Sequence, residues 1–365
     1  MNISDSFHVD FESKSVEIEF NQEMLIGNAG LEGYFPVTYD TQTWDKLIEN
    51  LKENKQNFTL SQKVSVFISS FISSYSQIQP FNISLKVLES ISQDTNEYTW
   101  ISCFTLLKTL SPLFESQSYW TDMRNYFAIL LDFISDYVGW SSTPENVDVS
   151  SSLRSTVLLM GSWYGNEKVV LQGINYTESF IGNNSFYISP ESRKAAFTSF
   201  VKYSDKSNSF DLLWEIYNQI EDESTKNDIF FALGTSKDLS SIEKMLDFIG
   251  NNNNLSIQSK FSLINDIFIY NQNFRSICFS KCVQLFDSYR STSGFVLDNF
   301  LFLQDMVFNF RNVINDQPLF SDFQNFLEEN KKFFGNNFVQ KQLDSVTFNL
   351  KFLEYNLPFL ENFFN

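Results

Sequence analysis

The order of apolar and polar side chains changes character once along this sequence, near residue 40. Before that point Phe7, Val9 and Phe11 alternate with polar neighbours, and Val16, Ile18 and Phe20 do the same. A period of two predicts half-buried strands, joined here by the polar stretch Glu12-Ser13-Lys14-Ser15 as a hairpin. Met24-Leu25-Ile26 and Tyr34-Phe35-Pro36-Val37 read as two further short strands, the second at an edge because Pro36 has no N–H to give a ladder. After Thr41 the period becomes helical. Trp44, Leu47, Ile48 and Leu51 fall on one helical face, as do Val64/Phe67/Ile68/Phe71/Ile72, Ile83/Val87/Leu88/Ile91 and Phe127/Leu130/Leu131/Ile134.

Helix boundaries are marked by side chains that can satisfy free backbone groups. Ser189-Pro190-Glu191 predicts a helix start, with a capping serine before a first-turn proline, and Asp238 offers another cap. Gly250 with Asn251–Asn254, and Gly335 with Asn336 and Asn337, predict stops. A last helix is expected from about Phe338 to the end, broken or bent at Pro358. About fourteen helices joined by short polar turns predict a mainly α chain, an α-solenoid of antiparallel HEAT- or armadillo-like pairs.

Composition sharpens this picture. Only 12 Gly and 7 Pro occur in 365 residues, too little punctuation for a large all-β fold. The 41 phenylalanines supply an ample core. A net charge of −18 repels phosphate backbones, which argues against nucleic acid as a partner. Three cysteines are too few for a disulfide scaffold: Cys103 reads as core, and Cys278 and Cys282 share one helical face as buried thiols. The first twenty residues lack the charged and apolar regions of a signal peptide, and no apolar run approaches the ~18 residues of a membrane span. Sequons stand at Asn2, Asn57, Asn82, Asn175, Asn183 and Asn254, without establishing secretion.

Catalytic constellations are missing from the sequence itself. A zinc site of the H-E-x-x-H kind needs two histidines, and this chain has one, His8. No nucleophile elbow or phosphate loop is present, and the carboxylates Asp132/Asp136 and Glu221/Asp222/Glu223 have the spacing of solvated helix faces and loops. No metal, cofactor or catalytic residue is assigned. Trp163, Tyr164, Trp214 and Tyr217 read as packing between helices.

One run, Asn28-Ala29-Gly30-Leu31-Glu32-Gly33-Tyr34-Phe35-Pro36-Val37-Thr38-Tyr39-Asp40 followed by Trp44, resembles the stretch that closes the small β-sandwich of aminopeptidase-N-like zinc metallopeptidases. Val138-Gly139-Trp140, Leu153-Arg154-Ser155, Gly165 with Glu167, Pro190 with Arg193, Trp214 with Tyr217, and Asp228 to Gly234 follow in the order of that family's helical C-terminal region. Leu343, Val346, Asn349 and Phe352-Leu353 are similar to its terminal helix. The resemblance implies a partial β-sandwich over 1–40 and a helical C-terminal aminopeptidase domain over 41–365. It also implies a non-catalytic role: capping a zinc active site, contacting peptide substrate and dimerising. Its zinc would sit in a catalytic domain that this sequence does not contain, so the expected partners are peptides, that catalytic domain and a second copy. The family setting implies a secretory, extracellular or membrane-associated glycoprotein. Two other readings are a fragment of an active zinc aminopeptidase and a stand-alone interaction scaffold. Pro36, and the segments Gln62–Ser70 and Ser256–Ser259 where acidic residues of the family pattern are missing, depart from that pattern and point to a divergent member. Arg154 and Arg193 are the peptide-groove candidates, since a guanidinium can hold a carboxylate bidentately.

Overall fold

The structure, a computed structural model, describes residues 25–33, 35–53, 57–143, 148–183, 186–290 and 297–364. The chain divides into a unit ending at Ile91 and a unit from Ser92 to Asn365.

The first unit holds α1 (Thr41–Glu53), α2 (Leu60–Tyr75) and α3 (Phe81–Ser90). Its entry loop gives Asn28, Tyr39 and Asp40 of the motif described above a definite contact each. Asn28, at φ 50°, closes the loop by donating from Nδ2 to the carbonyls of Gly33 (2.9 Å) and Phe35 (3.1 Å), and its Oδ1 accepts from the Gly33 amide. Tyr39 accepts from the Gly27 amide and sets its ring edge-on to Trp44, 4.9 Å away. Asp40 then caps α1 by accepting from the Thr43 amide, meeting one of the free N–H groups of a helix start. The apolar face of α1 buries Trp44, Leu47, Ile48 and Leu51 as its spacing requires.

Helix α2 departs from a simple stripe. Val64, Phe67 and Phe71 are buried and Ile72 is exposed, and Ser65, Ser69, Ser70, Ser73 and Ser74 are buried as well. A helix can bury serines because their hydroxyls find nearby acceptors. Ser70 donates to the Phe67 carbonyl, Ser74 and Ser84 share a 2.8 Å bond, and the Gln79 amide bridges the Ser70 carbonyl and the Trp44 indole. Among the described residues, 25–33 and 35–40 form turns and irregular loop with no strand, and the Val37 amide donates to Ser69 at 3.1 Å. The expected hairpin over 7–20 lies outside the described residues.

The second unit is built of α4 (Glu97–Phe114), α5 (Trp120–Leu130), α6 (Asp132–Val138), α7 (Ser151–Tyr164), α8 (Glu167–Gly182), α9 (Pro190–Tyr203), α10 (Ser209–Gln219) and α11 (Glu223–Leu233). It continues with α12 (Leu239–Asn251), α13 (Ile257–Tyr270), α14 (Arg275–Arg290), α15 (Leu297–Val313), α16 (Gln317–Glu329), α17 (Lys331–Phe334) and α18 (Asn336–Phe364). Neighbouring helices pair antiparallel, as in HEAT-like arrays, with α9 packed most extensively against α7, α8 and α11. The row also closes on itself, because α4 packs against α15 and α18 as well as α7. The core between the helices is rich in phenylalanine: Phe268 meets Phe310 at 4.4 Å, and Phe279 meets Phe310 and Phe326.

Several boundaries follow the capping logic. Asp238 accepts from the Ser241 amide, while Ser189 precedes Pro190 as expected but sends its hydroxyl to Ser192 instead of the backbone. Gly165 ends α7 at φ 83°, where an added Cβ would meet the Tyr203 hydroxyl at 3.0 Å. Asn166 then caps α8 and donates to the Ala128 carbonyl, tying α8 to α5. The stripe expected over Phe127–Ile134 is cut at Leu131, which separates α5 from α6. Helix α18 runs through Pro358 without the expected break.

Candidate functional site

His8 lies outside the described residues, and among the described residues no three of His, Cys, Asp and Glu gather closely enough to hold a metal ion. All three thiols are buried, and burial raises them above the ordinary cysteine range, with Cys278 pushed up to about 12. Asp132 accepts from Asn166, and Asp136 pairs with Lys168 at 2.5 Å on the surface. Asp222 is the cap of α11; bonds from the Thr225 hydroxyl and amide hold its carboxyl below the usual value. None of these groups is arranged as a nucleophile, a general base or a metal ligand.

Both arginines singled out in the sequence spend their donors inside the helical unit. Arg154, on α7, is 1% exposed; its Nε donates to the Val138 carbonyl at 3.1 Å, and a terminal nitrogen lies 3.6 Å from Glu191. It therefore joins the end of α6 to the start of α9. Arg193, on α9, reaches across to α11, where it contacts Asp222, Ser224 and Thr225 and brings Nε within 3.3 Å of Asp228. The four aromatic residues singled out with them also pack. Tyr164 is buried and donates to Ser111, Trp163 stacks on Tyr164, and Trp214 stacks on Phe210 and Tyr217.

A different set of side chains gathers where α4, α7, α9, α11 and α13 approach one another. Lys108 of α4 lies over the Tyr270 ring of α13 at 5.4 Å. Tyr270 touches Trp163 of α7 at 5.1 Å and Phe231 of α11 at 4.7 Å, and Lys194 of α9 lies over Phe231 at 4.8 Å. Two turns further along α9, Lys202 and Tyr203 both donate to the Trp163 carbonyl, at 3.0 and 3.1 Å. The amines of Lys202 and Lys237 lie 5.6 and 5.0 Å from the Tyr203 ring. The charge of Arg124 bears on Lys202, Tyr203 and Lys237, and its buried Nε has no partner.

The electrostatics of this strip are uneven. Burial lowers Lys202 to about 8; Glu115 opposes the shift, and Arg124 and Lys237 add to it. Lys237 is lowered by burial and by Arg124. Burial raises Asp266 against the pull of Lys194 and Lys108, and raises Glu115 against the pull of Arg275 and Lys202. Lys202, Tyr203 and Lys237 also line a groove of about 640 Å³ with Ser204, Ser209, Lys244 and the carboxylates Asp205, Asp211 and Asp238, Lys244 pairing with Asp211 at 3.1 Å. In a chain of net charge −18, amines standing over flat rings offer contacts to carboxylates and to apolar or aromatic side chains together.

Sequence reasoning missed these cations because each looks like an ordinary surface lysine or arginine within its own helix. Lys194 and Lys202, two turns apart on α9, share a face, but nothing in the sequence sets Lys108 or Lys237 beside them.

The chain is similar to known proteins over most of its length. The model of the family described as "ERAP1-like C-terminal domain" matches residues 24–347. Human (Homo sapiens) glutamyl aminopeptidase is 21% identical over 259 residues, covering 69% of this chain and 27% of the relative. Thyrotropin-releasing hormone-degrading ectoenzyme of Rattus norvegicus is 22% identical over 248 residues, covering 66% of this chain and 22% of the relative. The chain thus spans about a quarter of the length of the curated relatives it matches.

Proposed function

Since the chain belongs to the ERAP1-like C-terminal domain family, we propose that it works as a non-catalytic cover. In this reading it closes over the active site of an aminopeptidase-type catalytic portion and contacts the peptide held there. One observation carries the reading: the cationic and aromatic strip formed by Lys108, Tyr270, Lys194, Lys202, Tyr203 and Lys237 within an acidic molecule. Peptide carboxylates would lie against the amines while side chains pack on the rings. Arg154 and Arg193 serve this reading through α7 and α9, the helices that carry Trp163, Lys194 and Lys202. Residues 1–40 would belong to a β-sandwich. Pairing of two copies and a secretory or cell-surface setting belong to the same proposal.

The alternative, in which the parent protein is itself an active aminopeptidase, differs only in what accompanies this chain. A sequence with one histidine cannot supply two histidine ligands on one helix, so zinc chemistry would come from elsewhere. Titration calorimetry with N-acetylated acidic peptides tests the reading. Such peptides should bind, their C-terminally amidated forms should bind more weakly, and Lys108→Gln and Lys237→Gln should each weaken binding by roughly three- to tenfold. Equal binding to wild type and both variants would remove the strip from the mechanism.

A further inference from the structure

The cluster around Tyr203 carries a property that peptide contact alone does not require. Lys202 and Lys237 face the same ring, and Arg124 acts on both, so three cations share one small region. Like charges brought together disfavour the protonated state of whichever member is most desolvated. Arg124 keeps its guanidinium charge at any such pH, and of the two lysines Lys237 is exposed while Lys202 is half-buried at the end of α9 with its amine on the Trp163 carbonyl.

We propose that Lys202 is a proton-controlled switch for this face, so that its affinity for anionic ligands falls reversibly as the medium turns alkaline. The inference rests on the reading that this strip contacts peptide. In the charged state the ammonium adds to Lys237 and Arg124 in attracting a carboxylate. Once its proton has passed to solvent, the neutral amine keeps its bond to the Trp163 carbonyl but offers no charge.

The groups that face Lys202 set the position of the switch. From α4, Glu115 favours the charged form, and it is itself shared with Arg275, the first residue of α14. From α5 and from the connection between α11 and α12, Arg124 and Lys237 disfavour it. Tyr164 of α7 and Tyr203 of α9, the latter held at about 12, stay neutral through the range in which Lys202 titrates. Asp228 and Asp266 are engaged with Lys194, two turns away on α9. The shift of Lys202 to about 8 agrees with this balance.

Trace acetylation of the whole chain at pH 6.5 to 11, read per lysine by mass spectrometry, measures the switch without any ligand. Lys202 should reach half-maximal reactivity about two pH units before the exposed lysines. Arg124→Met and Lys237→Met should each move that midpoint upward, and Glu115→Gln should move it downward. Calorimetry with an N-acetylated acidic peptide, whose carboxylates keep their charge throughout, should show wild-type affinity falling several-fold between pH 7 and 9.5. Lys202→Arg should fall distinctly less, keeping only the part of the dependence that Lys237 contributes. Titration of Lys202 together with the exposed lysines overturns the switch even where peptide binds, and so do parallel pH profiles for wild type and Lys202→Arg. Failure of the underlying peptide reading looks different: Lys202 titrates early, yet no peptide binds at any pH, and control of affinity falls with that reading.

Discussion

Glu115 and Arg275 lie 160 residues apart in sequence and form a buried ion pair. The Arg275 guanidinium also donates to the carbonyls of Phe268 and Pro112, so the charge is both paired and hydrogen-bonded, the condition for burying it. Arg275→Met should therefore cost about 3–5 kcal/mol in urea denaturation at pH 7, because a carboxylate is left in the core without its cation. Adding Glu115→Gln should recover part of that loss. Lys202 gives a second test at this scale. Its amine is lowered in the folded chain, so between about pH 8 and the ordinary lysine value of 10.5 the unfolded state holds more protons. Stability relative to Lys202→Met should then rise with pH across that window. Because the side chain is only half-buried, the expected gain is on the order of 2 kcal/mol.

At the scale of elements, α4 shows how a helix end is satisfied from far away in sequence. The Pro112 carbonyl lies in its last turn, where intrahelical donors run out, and Asn315 donates to it at 2.8 Å alongside Arg275. Asn315→Ala should cost about 1–3 kcal/mol, read as a lower urea midpoint with an unchanged slope. Helix α18 offers the opposite test. Pro358 has no amide hydrogen to give to the turn before it, so Pro358→Ala should raise the midpoint, by about 1 kcal/mol or more.

These elements also show what could be read from the sequence. The stripe of α1, the Asp238 cap and the stop at Gly335 were legible because each depends on residues within one or two turns. The split at Leu131, the short helices α6 and α17 and the continuity of α18 were not, because packing from other helices decides where a local pattern breaks. The burial of the α2 serines was not legible either, because Ser84 and Gln79, which supply their partners, lie on the far side of a turn. For the candidate site, Arg154 and Arg193 stood out by their setting in a familiar pattern. The lysines over Tyr270, Phe231 and Tyr203 became visible only when five helices were placed together.

At the scale of the whole molecule, charge and unit structure dominate. With a net charge of −18 and an isoelectric point near 4.5, repulsion opposes compaction at neutral pH. Raising salt from 20 to 300 mM should increase the midpoint of thermal unfolding, and solubility should pass through a minimum near pH 4.5. The unit from Ser92 to Asn365 has its own extended core, so residues 92–365 expressed alone should melt cooperatively with high helicity in circular dichroism.

The clamp on α4 bears on how this protein can be made. In an open row of repeats each helix pair can settle as soon as it leaves the ribosome, because it needs only its predecessor. Here an early helix is finished by Asn315 and by aromatic contacts such as Phe114 with Phe352. Its seat does not exist until Asn315 and Phe352 have been made, so a nascent chain must wait with that helix unfinished.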